Sequence, residues 1–480
     1  MDSSNPQLVT DMSAIRHDLQ SDLSRLRQAY EANRQPSAAT RREWLTRLEA
    51  LLRDNVREIA NAIAADFSHR SRHETELLEI FPAIAAIRHA RGHLGGWMKS
   101  RRAWASLWFM PARNELRPQP LGVVGIIVPW NYPILLAVAP LVGALAAGNR
   151  AYIKMSEFTP RTGKLFADLV KTYFPNDEVM VVNGEADVAQ AFSALPFDHL
   201  LFTGSTEVGK HVMRAAAEHL TPVTLELGGK SPAIIGPDAD IDAVAAKIVF
   251  GKCLNAGQTC IAPDYVLLPA GREADFIAAA AKAVSKQYPT LAANPDYTAI
   301  VNARHLTRLH SWLDEASQAG AKLTELNPAN EQFTGTQKIA PTIITGAPDA
   351  TKLMHQEIFG PILPLVPYQD LTSAIAYVNA RPRPLALYYF GHSDSQIEQV
   401  LDQTVAGGVS INETIMHISQ EELPFGGVGA SGMGSYHGKF GFDTFSKLKP
   451  IFHQSALNGL ALFKPPFGKR FETLIRLLMK

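Results

Sequence analysis

The chain has 480 residues, with 46 basic side chains against 46 acidic ones, 19% charged residues and 46% hydrophobic residues. Such a length predicts roughly two to four domains with ample core for each, and zero net charge argues against a nucleic-acid partner. Two cysteines exclude a disulfide framework, so a free thiol in a cytoplasmic enzyme is expected.

Residues 1–25 are polar and mixed in charge, which does not fit a signal peptide. Leu23, Leu26 and Tyr30, then Leu45, Leu48, Leu51 and Leu52, recur at helical spacing and predict helices over 12–64. The basic stretch 97–117, with Trp97, Trp104 and Trp108, reads as an exposed hairpin or subunit-contact strand rather than a membrane contact. The apolar stretch 121–147 is interrupted by Pro129, Asn131, Pro133 and Pro140, against a transmembrane helix. Strands are then predicted at 123–128, 151–154, 179–182, 199–203 and 222–227, with helices between them. Short apolar strands separated by helices imply a parallel, doubly wound sheet of the dinucleotide-binding type. The composition shifts at 228–230, and a second α/β stretch runs to about residue 409, starting with a helix at 240–250. A Gly-rich run follows at 426–441. Two α/β halves with a cleft between them is the simplest architecture.

Cys260 follows Asn255-Ala256-Gly257-Gln258-Thr259 and precedes a strand at 264–268. That setting can present a thiol at a cleft, with backbone N–H groups lowering the cost of its thiolate. Burial as a plain hydrophobe is the competing reading, and the one that suits Cys253. Neither CxxC nor a Cys/His ligand spacing occurs, so no metal is expected. Glu226 ends the fifth strand, at the edge where parallel sheets bind ligands; a salt bridge to Lys230 is the alternative. Gly204-Ser205-Thr206-Glu207-Val208-Gly209 follows a strand and opens a helix, whose first N–H groups can face a phosphate. The literal GxGxxG at Gly427, Gly429 and Gly432 has no strand before it and is expected to fold as a loop beneath the cleft. Lys154 and Glu157 end the second strand, where polar groups meet an adenosine ribose. Glu157 would repel a 2′-phosphate, and Lys154 pulls the other way. Asn131, between Trp130 and Tyr132, offers a neutral amide to an oxyanion, or turn chemistry alone. Glu357, before Ile358-Phe359-Gly360-Pro361, can bind a ribose or act as a base.

In combination these segments are far more specific. Pro129-Trp130-Asn131-Tyr132-Pro133, Phe202-Thr203-Gly204-Ser205-Thr206, Leu225-Glu226-Leu227-Gly228-Gly229-Lys230, Gly257-Gln258-Thr259-Cys260, Glu357-Ile358-Phe359-Gly360-Pro361 and Leu423-Pro424-Phe425-Gly426-Gly427 stand in one order. Over about residues 20–450 the chain resembles the aldehyde dehydrogenase superfamily, and within it the class 3 branch.

The resemblance implies an α/β fold. A doubly wound cofactor domain (1–102 and 121–228) would join a second α/β catalytic domain (229–435), an oligomerisation element (103–120 and 436–455) and a tail (456–480). It implies Cys260 as nucleophile, Asn131 and the Cys260 N–H as oxyanion donors, and Glu226 as the base that activates water, with Glu357 a competing candidate. Glu357 and Phe359 would hold the nicotinamide ribose and ring. Lys154 and Glu157 would hold the adenosine ribose, and Ser205 with the Gly204–Gly209 turn the diphosphate. The implied cofactor is NAD, with NADP as the other option, and the implied assembly a homodimer. The substrate expected is a hydrophobic aldehyde, aromatic or medium-chain, with coniferyl aldehyde preferred over a fatty aldehyde. CoA-acylating and non-catalytic structural roles are lesser alternatives. Trp104, Trp108, Phe109, Tyr389 and Tyr436 are candidates for an apolar funnel. Met155 stands where the family usually has proline. In the tail, Phe471, Leu474, Ile475 and Leu478 share a helix face between basic residues. That segment is too short and charged to span a membrane, and packing on a partner subunit is favoured over lying on a membrane surface.

Overall fold

A computed structural model describes residues 6–479. Helices Pro6–Ala32, Ala38–Asp54 and Val56–Asp66 open the chain. The second begins where the Ser37 hydroxyl accepts from the Thr40 amide and buries Trp44, Leu45, Leu48, Leu51 and Leu52, the stripe read from the spacing. Helix Phe81–Trp97 completes this layer and packs on the wholly apolar helix Leu135–Ala147.

The first sheet has five parallel strands, Val123–Ile127, Arg150–Lys154, Val179–Val182, His199–Thr203 and Val223–Glu226. The first of these lies between the second and the fourth, so the strand order reverses there. The crevice at such a reversal, outside the carboxyl ends, is where ligands bind. Here it faces the 128–131 turn and the 204–205 turn. A sixth, antiparallel strand was not expected: Gly432–Met433, from the Gly-rich run, pairs with Val223–Glu226, setting Gly432 opposite Glu226. The Met155 N–H donates to the Val182 carbonyl at 3.1 Å, a bond that a proline at this position would lack.

The second sheet has seven strands, in the order Lys322–Glu325, Thr342–Thr345, Ile362–Tyr368, Tyr265–Pro269, Pro232–Ile235, Ala386–Phe390 and Gly408–Ile411. All its pairings are parallel except at the Lys322–Glu325 edge. One apolar core runs from the N-terminal helices through both sheets. A third sheet joins Arg101–Ala103 and Arg113–Pro120 to Ser446–His453, all antiparallel. Its hairpin leaves Trp104 98% exposed, with Leu107 and Trp108 also in solvent. In the tail, helix Lys469–Leu478 packs Phe471 at a tilt against Phe467 with ring centroids 4.6 Å apart. No described helix is long and apolar enough to cross a membrane.

Candidate active site

Helix Ile241–Cys253 ends in a tight loop that carries the nucleophile candidate. Asn255 and Ala256 sit at φ 51°, a left-handed conformation that non-glycine residues adopt at a cost. Gly257, at φ 74°, has no room for a Cβ, which would stand 2.3 Å from the Gly360 carbonyl oxygen. The Gln258 side chain holds this geometry, donating to the Asn255 and Ala299 carbonyls and accepting from the Val301 amide. Thr259 meets the Tyr132 hydroxyl at 2.6 Å. Cys260 follows, partly buried, while Cys253 is fully buried as expected.

A network that sequence reading missed fixes the Trp130–Tyr132 turn. Arg70 and Glu79, both fully buried, pair at 2.9 Å, and Arg70 donates to the Asn131 carbonyl at 2.8 Å. Glu79 also accepts from the Ile134 and Leu135 amides, and the Asn255 side chain donates to the same Asn131 carbonyl. Glu74 accepts from the Asn255 amide. With its backbone held, the Asn131 side-chain amide rests 3.3 Å from the Gln258 carbonyl, a long bond that is readily exchanged. Paired charges inside an apolar helical layer are the only signal the sequence carries for this network.

Two carboxyls stand over the cleft. Glu226 is fully buried with no partner on either oxygen, and burial raises its pKa well above the ordinary value. The alternative salt bridge to Lys230 is not formed, because Lys230 pairs with Asp264 and donates to the Leu353 carbonyl. Burial and then the nearby Asp264 push Glu357 up to about 8, although the Gly229 N–H and two lysines oppose them. A side chain at Gly228 would collide with Glu357, its Cβ 2.2 Å from a carboxyl oxygen. Cys260 is pushed up to about 12, by burial first and then by Glu357 and Glu226. The backbone N–H groups of Cys260 and Ile261 act in the expected direction and are outweighed, so the resting sulfur is a thiol.

Cys260 and Glu226 line two cavities at once. One, of about 710 Å³ with its open mouth, is bounded by Trp130, Asn131, Gly204, Ser205, Glu357 and Phe359 as well. The other, about 590 Å³, is walled by apolar groups that include Leu78, Leu136, Ile415, Ile418, Phe425 and Tyr436. Of the aromatic residues suggested for an apolar funnel, only Tyr436 lines this second cavity. Trp104, Trp108 and Phe109 lie on the exposed hairpin, and the Tyr389 hydroxyl binds Gln396 on the far side of the second sheet.

The first cavity fits a dinucleotide. Ser205 caps helix Thr206–Ala217, its hydroxyl accepting from the Val208 amide, and the helix opens onto the cleft. The Thr203 hydroxyl and one Glu357 oxygen are buried without partners, as acceptors awaiting a polyhydroxyl ligand would be. Gly209 lies outside the lining and lets its helix close on Leu227, where a Cβ would stand 2.7 Å away. Lys154 is buried, lies 3.7 Å from Glu157 and donates to the Met155 carbonyl, which leaves Glu157 the more exposed of the two. His305 and Arg308 also line this cavity. No sequence pattern marks them, yet His305 packs at a tilt against Trp130 with ring centroids 5.1 Å apart, and Phe359 packs edge-on to Trp130 at 5.3 Å.

The family model described as the aldehyde dehydrogenase family matches residues 4–451. A probable coniferyl aldehyde dehydrogenase of Pseudomonas aeruginosa is 51% identical, covering 96% of either chain. Aldehyde dehydrogenase family 3 member A2 of Rattus norvegicus is 43% identical over 90% of this chain and 88% of its own. Among solved structures, the substrate-bound state of Staphylococcus aureus AldH superposes with a TM-score of 0.90 at 36% identity. It covers 96% of this chain and 99% of its own.

Proposed function

The chain belongs to the aldehyde dehydrogenase family and is an oxidoreductase acting on aldehydes; from that premise we propose that it converts a hydrophobic aromatic aldehyde, coniferyl aldehyde first among them, to its acid through acyl chemistry on Cys260. The supporting observation is that Cys260 and Glu226 form the common wall of a polar cleft and an apolar one. An aldehyde entering the apolar cleft and a dinucleotide in the polar one would meet at this wall. The apolar lining suits an aromatic or aliphatic tail, and the Pseudomonas relative's name favours the aromatic choice.

In the proposed reaction the Cys260 thiol passes its proton to solvent water in the open cleft and the sulfur attacks the carbonyl carbon, giving a thiohemiacetal whose oxygen carries the negative charge. The oxyanion is held by the Asn131 side-chain amide, released from the Gln258 carbonyl, and by the Cys260 N–H. The nicotinamide, when bound, supplies the hydride acceptor that turns the thiohemiacetal into a thioester. Glu226 then takes a proton from water, which attacks the thioester and frees Cys260. Both its oxygens are free to do so and it borders both clefts, whereas Glu357 lines only the polar one. We therefore assign Glu357 and Phe359 to the nicotinamide ribose and ring, Gly204 and Ser205 to the diphosphate, with Gly209 acting only by closing their helix on Leu227, and Lys154 with Glu157 to the adenosine ribose. With Lys154 turned inward, Glu157 decides the cofactor, and NAD is preferred to NADP.

In the same proposal the third sheet mediates a homodimer, with exposed Trp104, Leu107 and Trp108 as its contact, and light scattering should return twice the chain mass. The activity test is the initial rate with coniferyl aldehyde, benzaldehyde and hexanal, each with NAD and NADP. Fast oxidation of the aromatic pair with NAD is expected. A preference for hexanal would move the substrate to the fatty-aldehyde class, and silence with all three would refute the reading.

A further inference from the structure

Outside the active site, helix Phe81–Trp97 carries His89 and His93 one turn apart, and Glu422 faces them from the turn that precedes Phe425. One ligand atom from each lies within 4.8 Å of the other two. His89 Nε2 and Glu422 Oε1 are 3.3 Å apart, close to the edge of a tetrahedron built on metal–nitrogen bonds of about 2.0 Å. His93 Nδ1 lies 2.8 Å from the His89 carbonyl. Donation there fixes the tautomer and leaves Nε2 as an acceptor, the arrangement that ligating histidines commonly show. The two imidazoles stack at 4.2 Å, and Trp97 lies parallel to His93 at 5.9 Å, so the pair is held from behind by an aromatic wall.

A simple ion pair explains this cluster poorly. The His89 side chain is only 16% exposed, and its Nε2 is buried with no hydrogen-bond partner. A buried ring nitrogen facing a 78% exposed carboxylate gains little from that contact alone.

We propose that His89, His93 and Glu422 bind a divalent transition metal, with two imidazoles and a carboxylate selecting zinc and water completing the tetrahedron. The bound ion ties helix Phe81–Trp97 to the rim of the apolar cleft. Phe425, three residues beyond Glu422, lines that cleft, as does Ile418 before it, while Leu78 lines it from the segment leading into the helix. Only the exposed His93 and Glu422 side chains need to rotate to close the coordination shell.

The test uses full-length protein stripped with a chelator and titrated with zinc against a fluorescent indicator. It is run in a Cys260→Ala background, because the active-site thiol is itself a zinc ligand. One zinc per chain is expected, with affinity falling more than about tenfold in Cys260→Ala/His93→Ala, since losing even an outer-shell partner costs that much. Glu422→Gln in the same background should also weaken binding. With Cys260 intact, His93→Ala should leave zinc-free aldehyde oxidation unchanged. No zinc bound by Cys260→Ala, or equal affinity after His93→Ala, would overturn the proposal.

Discussion

Replacing Glu226 by glutamine separates the two halves of the proposed reaction. The side chain keeps its shape, and neither carboxyl oxygen has a hydrogen-bond partner to lose, so the fold should tolerate the change. What disappears is the group that takes a proton from water. General-base catalysis contributes about 10²–10⁴ in rate, or about 3–5 kcal/mol of barrier. Thiol attack and hydride transfer do not use Glu226, so Glu226→Gln should still release about one reduced cofactor per active site in a stopped-flow burst. Steady turnover should then fall by about 10²–10⁴. Glu357→Gln is the control: if Glu357 holds a ribose, the variant raises the KM for NAD and keeps its deacylation rate. Full steady turnover in Glu226→Gln, or a stalled burst in Glu357→Gln alone, would refute the assignment.

Two further predictions follow from buried charges. Glu357 has a folded pKa of about 8, above the ordinary 4.5. The folded state thus holds its proton more tightly, and the associated stability is present below about pH 4.5 and is lost as pH rises towards 8. Glu357→Gln should therefore be more stable than wild type at pH 9, by on the order of a few kcal/mol, and similar at pH 4.5. Urea midpoints check this, and equal midpoints at pH 9 would contradict it. Arg70→Met leaves Glu79 buried without its partner and should cost about 3–5 kcal/mol of stability. Arg70→Met/Glu79→Leu should recover most of that stability while kcat stays low, because the Asn131 carbonyl has lost its donor; a fully active double variant would show that Arg70 does not position Asn131.

Most of this architecture is legible in the sequence because it is written in local patterns. The strands Val179–Val182 and His199–Thr203 match their expected limits, since apolar runs and turn residues decide them. The Gly-rich run was legible as a non-nucleotide segment but not as a strand. Its pairing with Val223–Glu226 depends on a partner some two hundred residues away and on no apolar alternation of its own. The same holds for the site. Cys260, Glu226 and Asn131 stand at strand ends and turns, where position alone suggests chemistry. Arg70, Glu79, His305 and Arg308 act through contacts between distant segments, and periodicity carries no trace of these. Trp104, Trp108 and Phe109 misled because a large aromatic residue reads alike in a funnel and on an exposed hairpin; only burial separates the two.

The charges in the site also constrain the order of events. Glu357 and Glu226 both raise the cost of ionising Cys260, so thiolate and carboxylates oppose one another within one low-dielectric wall. Thiolate attack is therefore favoured while Glu226 remains protonated, and burial biases it to that state at rest. Burial alone raises the Glu226 pKa, so acylating an already uncharged sulfur leaves Glu226 protonated. Deacylation therefore has to wait for Glu226 to lose that proton, and thioester hydrolysis should speed up with rising pH through the raised Glu226 pKa. Single-turnover deacylation across pH measures this rise, and Glu226→Gln should abolish it. A flat profile in the wild type, or a rise that survives in Glu226→Gln, would show that another group is the base.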